Sequence, residues 1–64
     1  MVKVNGELLA MDGRTVAELL AEMDISNQPV AVELNEEIVP KAKYGETILK
    51  DGDTVEVVRF VGGG

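Results

Sequence analysis

The feature that most constrains this chain is its end, where eight residues from Thr54 to Val61, almost all β-branched or aromatic, run directly into Gly62, Gly63 and Gly64. Residues of those types, interrupted by Glu56 and Arg59, spell a strand with at least one well-buried face. Asp51-Gly52-Asp53 before it is a turn, because Gly takes positive φ at no steric cost and the flanking carboxylates accept local backbone hydrogen bonds. Three glycines after it contribute no packing, so they are expected to extend into solvent unless a partner holds them. Fully extended they span roughly 10 Å, at about 3.3–3.6 Å per residue. That reach carries a terminal carboxylate beyond the domain surface and into a narrow partner channel. Taken alone, such a tail is equally well a frayed linker. Its placement favours presentation: no polar spacer separates Phe60-Val61 from the glycines, so the last strand aims the carboxylate.

With 64 residues there is room for one domain, residues 1–61, followed by a flexible glycine tail at 62–64. That size lies near the lower limit for independent folding, with a net stability of about 3–5 kcal/mol. The apolar fraction of 45% indicates a globular chain, and one Tyr and one Phe require an aliphatic core. Six basic against twelve acidic residues leave a net charge of −6. Such an excess argues against nucleic-acid or anionic-membrane binding and favours a basic protein surface as partner. The chain has no Cys and no His, which removes disulfides, thiolate nucleophiles, the usual zinc sites and the commonest general base. No metal site and no catalytic residue is therefore expected. An apolar leader and a run of membrane-spanning length are both missing from the sequence, so a soluble cytoplasmic protein is the expectation.

Along the chain, Met1-Val2-Lys3-Val4 alternates apolar and polar, Asn5-Gly6 is a strong hairpin signal, and Glu7-Leu8-Leu9-Ala10-Met11 returns. A two-residue turn sets Val2 opposite Leu9, with Val4 and Met11 also inward. Thr15-Val16-Ala17-Glu18 has the form of a capping box, and Val16, Leu19, Leu20 and Met23 follow at the spacing of one helical face. Val30-Ala31-Val32-Glu33-Leu34 alternates as a strand, Asn35-Glu36 turns, and Glu37-Ile38-Val39 ends at Pro40, which cannot donate to a ladder. Between Lys41 and Lys50 the pattern is irregular, with a bend expected at Tyr44-Gly45 and Ile48-Leu49 tucked under the sheet. Hairpin, helix, then strands predicts an α+β fold of two layers, one helix crossing a mixed sheet in the β-grasp (ubiquitin-like) arrangement. The first and last strands would then lie side by side at the sheet centre.

Val4-Asn5-Gly6, Thr15-Val16-Ala17-Glu18-Leu19-Leu20, the stretch from Val32 to Pro40, and Asp51 through Gly64 together resemble the ubiquitin-like sulfur carriers, and specifically the ThiS family of thiamine biosynthesis. The likeness covers the whole chain. It implies a carrier rather than an enzyme, acting through the carboxylate of Gly64 with Gly62 and Gly63 entering partner channels. An adenylating partner of the ubiquitin-activating type would use ATP and Mg²⁺ to activate that carboxylate. A sulfur relayed from a cysteine desulfurase would convert it to a thiocarboxylate, and thiazole synthase would consume the sulfur. The carrier itself binds no cofactor on this reading.

Other residues have plainer readings. Asp51 and Asp53 suit a turn better than paired catalytic carboxylates. Glu36-Glu37 and Glu18/Glu22 suit solvated faces, with some acid left to meet a basic partner. Lys3, Lys41, Lys43 and Lys50 serve solubility more readily than conjugation, and Met11 and Met23 fill core. Phe60, with Arg59 and Val61, is read as a candidate docking contact, since glycines alone give a partner little to recognise. Three alternatives to the ThiS-type reading stay open here: the small subunit of molybdopterin synthase, a ubiquitin-like modifier of lysines, and a β-grasp binding module with an idle tail.

Overall fold

The computed structural model describes residues 1–60. Five strands form one mixed sheet: β1 (Val2–Val4), β2 (Glu7–Leu9), β3 (Val30–Leu34), β4 (Glu37–Ile38) and β5 (Thr54–Arg59), in the spatial order β2-β1-β5-β3-β4. The helix α1 (Val16–Glu22) lies between the hairpin and β3 in sequence, and a short 3₁₀ turn spans Lys41–Lys43. β1 and β5 run parallel at the centre, and every other pairing is antiparallel. The expected β-grasp architecture is present.

Local chemistry accounts for each piece. Asn5 and Gly6 take φ of +50° and +85°, the left-handed pair that a two-residue hairpin matching strand twist needs, and Val2 pairs with Leu9. At the start of α1, the Thr15 hydroxyl accepts from the Glu18 amide at 3.1 Å and the Glu18 carboxylate accepts from the Thr15 amide at 2.8 Å. That contact, aided by the Arg14 guanidinium, holds the Glu18 carboxyl below the usual range.

The core is aliphatic. Val2, Val4, Val16, Leu19, Leu20, Val32, Leu49, Val55 and Val57 are buried between sheet and helix, closed at the ends by Met11, Ile25 and Val39. Met23 is only half-buried at the helix C-cap, a weaker contribution than its place in the periodic stripe suggests.

The segment from Lys41 to Lys50 is more ordered than its irregular pattern indicates. It closes the N-terminus of α1, because Val16 donates to the Thr47 carbonyl and Ala17 to the Tyr44 carbonyl, both otherwise orphaned helix amides. Gly13 and Leu49 are tied by the bonds Gly13 to Leu49 and Leu49 to Arg14. Only Leu49 of the Ile48-Leu49 pair is tucked in: it is 1% exposed, whereas Ile48 is 58% exposed. The isolated bridge between Ile48 and Thr15 makes this stretch locally extended, so adjacent side chains point oppositely and one of the two must face solvent.

Candidate functional site

The expected site is the end of β5, and its foundations lie within the described residues. β5 is central, flanked by β1 and β3, so its path is set from both sides. On the β3 side the pairing runs from Leu34 opposite Val55 to Val30 opposite Arg59, and the Phe60 amide donates to the Pro29 carbonyl at 3.0 Å. The backbone is therefore held in extended form as far as Phe60. Val61, Gly62, Gly63 and Gly64, the tail and its acyl end, lie outside the described residues.

Two side chains that locally read as turn formers lock this strand. Asn5 extends the β1 ladder with its own amide group: its Oδ1 accepts from the Val57 amide at 2.8 Å and its Nδ2 donates to the Val57 carbonyl at 3.3 Å. At the other end, Asp53 is 5% exposed and anchors the strand's entry. Its carboxylate accepts from Asn35 Nδ2 at 3.0 Å and from the Lys50 amide at 2.9 Å. Asn35 in turn accepts from the Thr54 amide at 2.9 Å, tying the β3–β4 turn to the first residue of β5. Burial pushes the Asp53 carboxyl up, yet the Asn35 hydrogen bond, the Lys50 amide and the Lys50 ammonium together hold it below the usual aspartate value.

Asp51 and Asp53 are thus not a catalytic pair. Asp53 is fully engaged in the fold, and Asp51 lies 2.7 Å from the Met1 ammonium, which also meets Asp12 at 3.0 Å. Those two carboxylates, Asp51 foremost, raise the ammonium's pKa. Among the described residues no group of three or more acidic, His or Cys side chains is arranged to hold a metal, and no helix is long and apolar enough to cross a membrane.

Phe60 and Arg59 are both exposed, Phe60 at 60%. Phe60 borders a cleft with Leu20, Pro29, Val30, Lys41 and Tyr44, so it is a surface aromatic rather than a core anchor. Val58, 53% exposed, stands on the sheet face away from Val55 and Val57, in register with Ala31. The same face sets Glu56 directly opposite Glu33. Like charges facing each other across a ladder cost stability, and they give the sheet's open face an acidic band.

The model of the ThiS family matches residues 1–64. The sulfur carrier protein ThiS of Bacillus subtilis is 42% identical over 66 residues, covering all of both chains. A thiazole synthase of Paramagnetospirillum magneticum is 50% identical over 50 residues, 78% of this chain; the chain spans only 15% of that protein's length. Among solved structures, the crystal structure of the thiamine biosynthesis protein ThiS of Geobacter metallireducens superposes with a TM-score of 0.77 at 36% identity, covering 98% of this chain and 97% of that one. A one-helix, five-strand sheet whose central strand leads into a triple-glycine end, together with a family match from the first residue to the last, places the chain: it belongs to the ThiS family.

Proposed function

We propose that this chain is a sulfur carrier for thiazole formation in thiamine biosynthesis, working as a protein substrate of other enzymes rather than as an enzyme. The observation that carries the reading is the end-to-end likeness to a sulfur carrier protein ThiS, which includes the glycine end. The fold supports it, because the central strand delivers the backbone to the surface at Phe60 in a fixed direction.

The chemistry belongs to Gly64. An α-carboxyl group has a reference pKa of about 3.3–3.7, so at neutral pH it is an anion able to attack the α-phosphorus of an ATP polarised by Mg²⁺ on an adenylating partner. Pyrophosphate leaves, and a poor acyl donor becomes an acyl adenylate. The terminal sulfur of a persulfide, supplied by a cysteine desulfurase, displaces AMP to give an acyl disulfide; a second thiol on the sulfur-donating partner then attacks the donor's inner sulfur, forming a disulfide with it and releasing the thiocarboxylate. Thiazole synthase takes the sulfur and an ordinary carboxylate returns. Gly62 and Gly63 fit a channel that admits a main chain and excludes any Cβ. The thiazole synthase likeness supports that enzyme as partner, since a stretch similar to this chain occurs within a protein of that name.

The test is mass spectrometry of the chain after incubation with an adenylating enzyme, ATP and a persulfide source. The expected result is a mass gain of one oxygen-to-sulfur exchange at the C-terminus, absent when Gly64 is deleted. Isopeptide adducts to lysine, or an unaltered C-terminus, would overturn the reading.

A further inference from the structure

Among the described residues, the hydrogen-bond phase of β5 leaves the central strand with an open side near its end. Asn35 donates to the Thr54 carbonyl and Phe60 donates to the Pro29 carbonyl, so the even-numbered residues of β5 exchange bonds with β3. Val55, Val57 and Arg59 therefore turn their N–H and C=O groups toward β1. The Val55 carbonyl accepts from the Asn5 amide at 2.9 Å, and Val57 is satisfied by the Asn5 side chain. There the cover stops, because β1 ends at Val4 and the chain turns at Asn5-Gly6. By this phase the amide and carbonyl of Arg59, next in the row, point away from β3 to the side where β1 pairs only with Thr54 and Val55, and among the described residues no turn, loop or side chain bonds to them. Pairing with β3 on the far side nonetheless holds Arg59 extended.

Beside this open edge is a cleft of about 380 Å³ lined by Asn5, Met23, Ile25, Val57 and Arg59. Met23, Ile25 and Val57 give its lining an apolar part and Asn5 and Arg59 a polar one, and the Arg59 guanidinium makes no ion pair among the described residues.

We propose that the open edge of β5 at Arg59 takes an extended, carboxylate-bearing peptide segment of thiazole synthase as an added strand. The proposal rests on the sulfur-carrier reading. The incoming segment accepts from the Arg59 amide and donates to its carbonyl, sets an apolar side chain over Met23 and Ile25, and brings a carboxylate to the guanidinium. Local charge alone selects the carboxylate: against the chain's overall −6, Arg59 is an exposed cation at this edge with no ion pair among the described residues. The Asn5 side chain sets the register, since it occupies the edge at Val57 and leaves room only from Arg59 outward.

The experiment is amide hydrogen exchange on the ¹⁵N-labelled chain, alone and bound to thiazole synthase, with binding of Arg59→Ala and Arg59→Pro measured alongside. Proline deletes the Arg59 N–H, which faces away from β3, so the existing ladder is retained. In the free chain Arg59 should exchange within about tenfold of the unstructured rate while Val57 is protected, and in the complex Arg59 should slow by about a hundredfold or more. Arg59→Ala should bind about tenfold more weakly than the unaltered chain, and Arg59→Pro weaker still. A complex in which Arg59 still exchanges freely, with both variants binding alike, overturns this inference and leaves the carrier reading standing. No complex at all overturns both.

Discussion

Asp53 shows how much one side chain can carry in a domain this small. Its carboxylate joins the turn before β5 to the turn after β3, and it is almost wholly buried. Because its folded pKa lies below the ordinary 3.8, its contribution is complete above that value and is lost as pH falls through the lower folded value. Asp53→Ala should cost about 2 kcal/mol in urea unfolding at pH 7, and the difference from the unaltered chain should shrink below about pH 4. An equal deficit at acid and neutral pH would contradict the clamp. Glu36 is the opposite case: it holds φ at +70°, where a Cβ is strained. Glu36→Gly should raise the unfolding free energy by about 0.5 kcal/mol, the relief of that strain less glycine's larger chain entropy. The sequence identified Asp53 as a turn residue correctly but gave no sign of its burial, because its partner Asn35 is 18 positions away and only the fold brings them together. The same holds for Asn5, legible as a hairpin residue and not as the amide that completes a ladder 52 positions away.

Elements with strong local codes were legible. The capping box and the apolar stripe of α1, the Asn5-Gly6 hairpin, the alternation of β3 and the β-branched run of β5 each carry their own physical reason, and each forms where expected. Of the run from Thr54 to Val61, the strand covers Thr54–Arg59, and Phe60 follows it with a single bond to the Pro29 carbonyl because β3 begins at Val30; Val61 lies outside the described residues. What stayed hidden was Lys41 to Lys50, whose order comes from capping another element rather than from its own pattern. Leu19 is fully buried beneath the sheet. Leu19→Ala should cost about 2–5 kcal/mol, comparable with the total of about 3–5 kcal/mol for a domain of this size, so thermal melts should show it largely unfolded near room temperature. On the open face, Glu56→Lys should replace a repulsion with Glu33 by an attraction and raise the unfolding free energy measured in urea by about 0.5 kcal/mol. A fall in stability would mean the two carboxylates do not meet as the register implies.

At the scale of the whole molecule, the arrangement puts rigidity and chemistry in different places. The sheet, its helix and its two side-chain locks fix the course of β5 as far as Phe60, and among the described residues no group of three or more acidic, His or Cys side chains is arranged to hold a metal. The net charge of −6 suits encounter with a basic partner, so if the proposed adenylating partner presents a basic surface, its association should slow by about tenfold or more between low and high salt. The proposed site, Gly62 to Gly64, is a reading of the sequence, where a side-chain-free end beside an apolar strand has few uses, and it lies outside the described residues. The central claim is that this end hands over sulfur. A chain carrying an isotopically labelled thiocarboxylate at Gly64, mixed with thiazole synthase and its small-molecule substrates, tests it most directly. The account predicts that the label moves to the thiazole product in step with return of the chain to its carboxylate mass; label that stays on the chain, or a labelled product formed equally well when Gly64 is deleted, would contradict it.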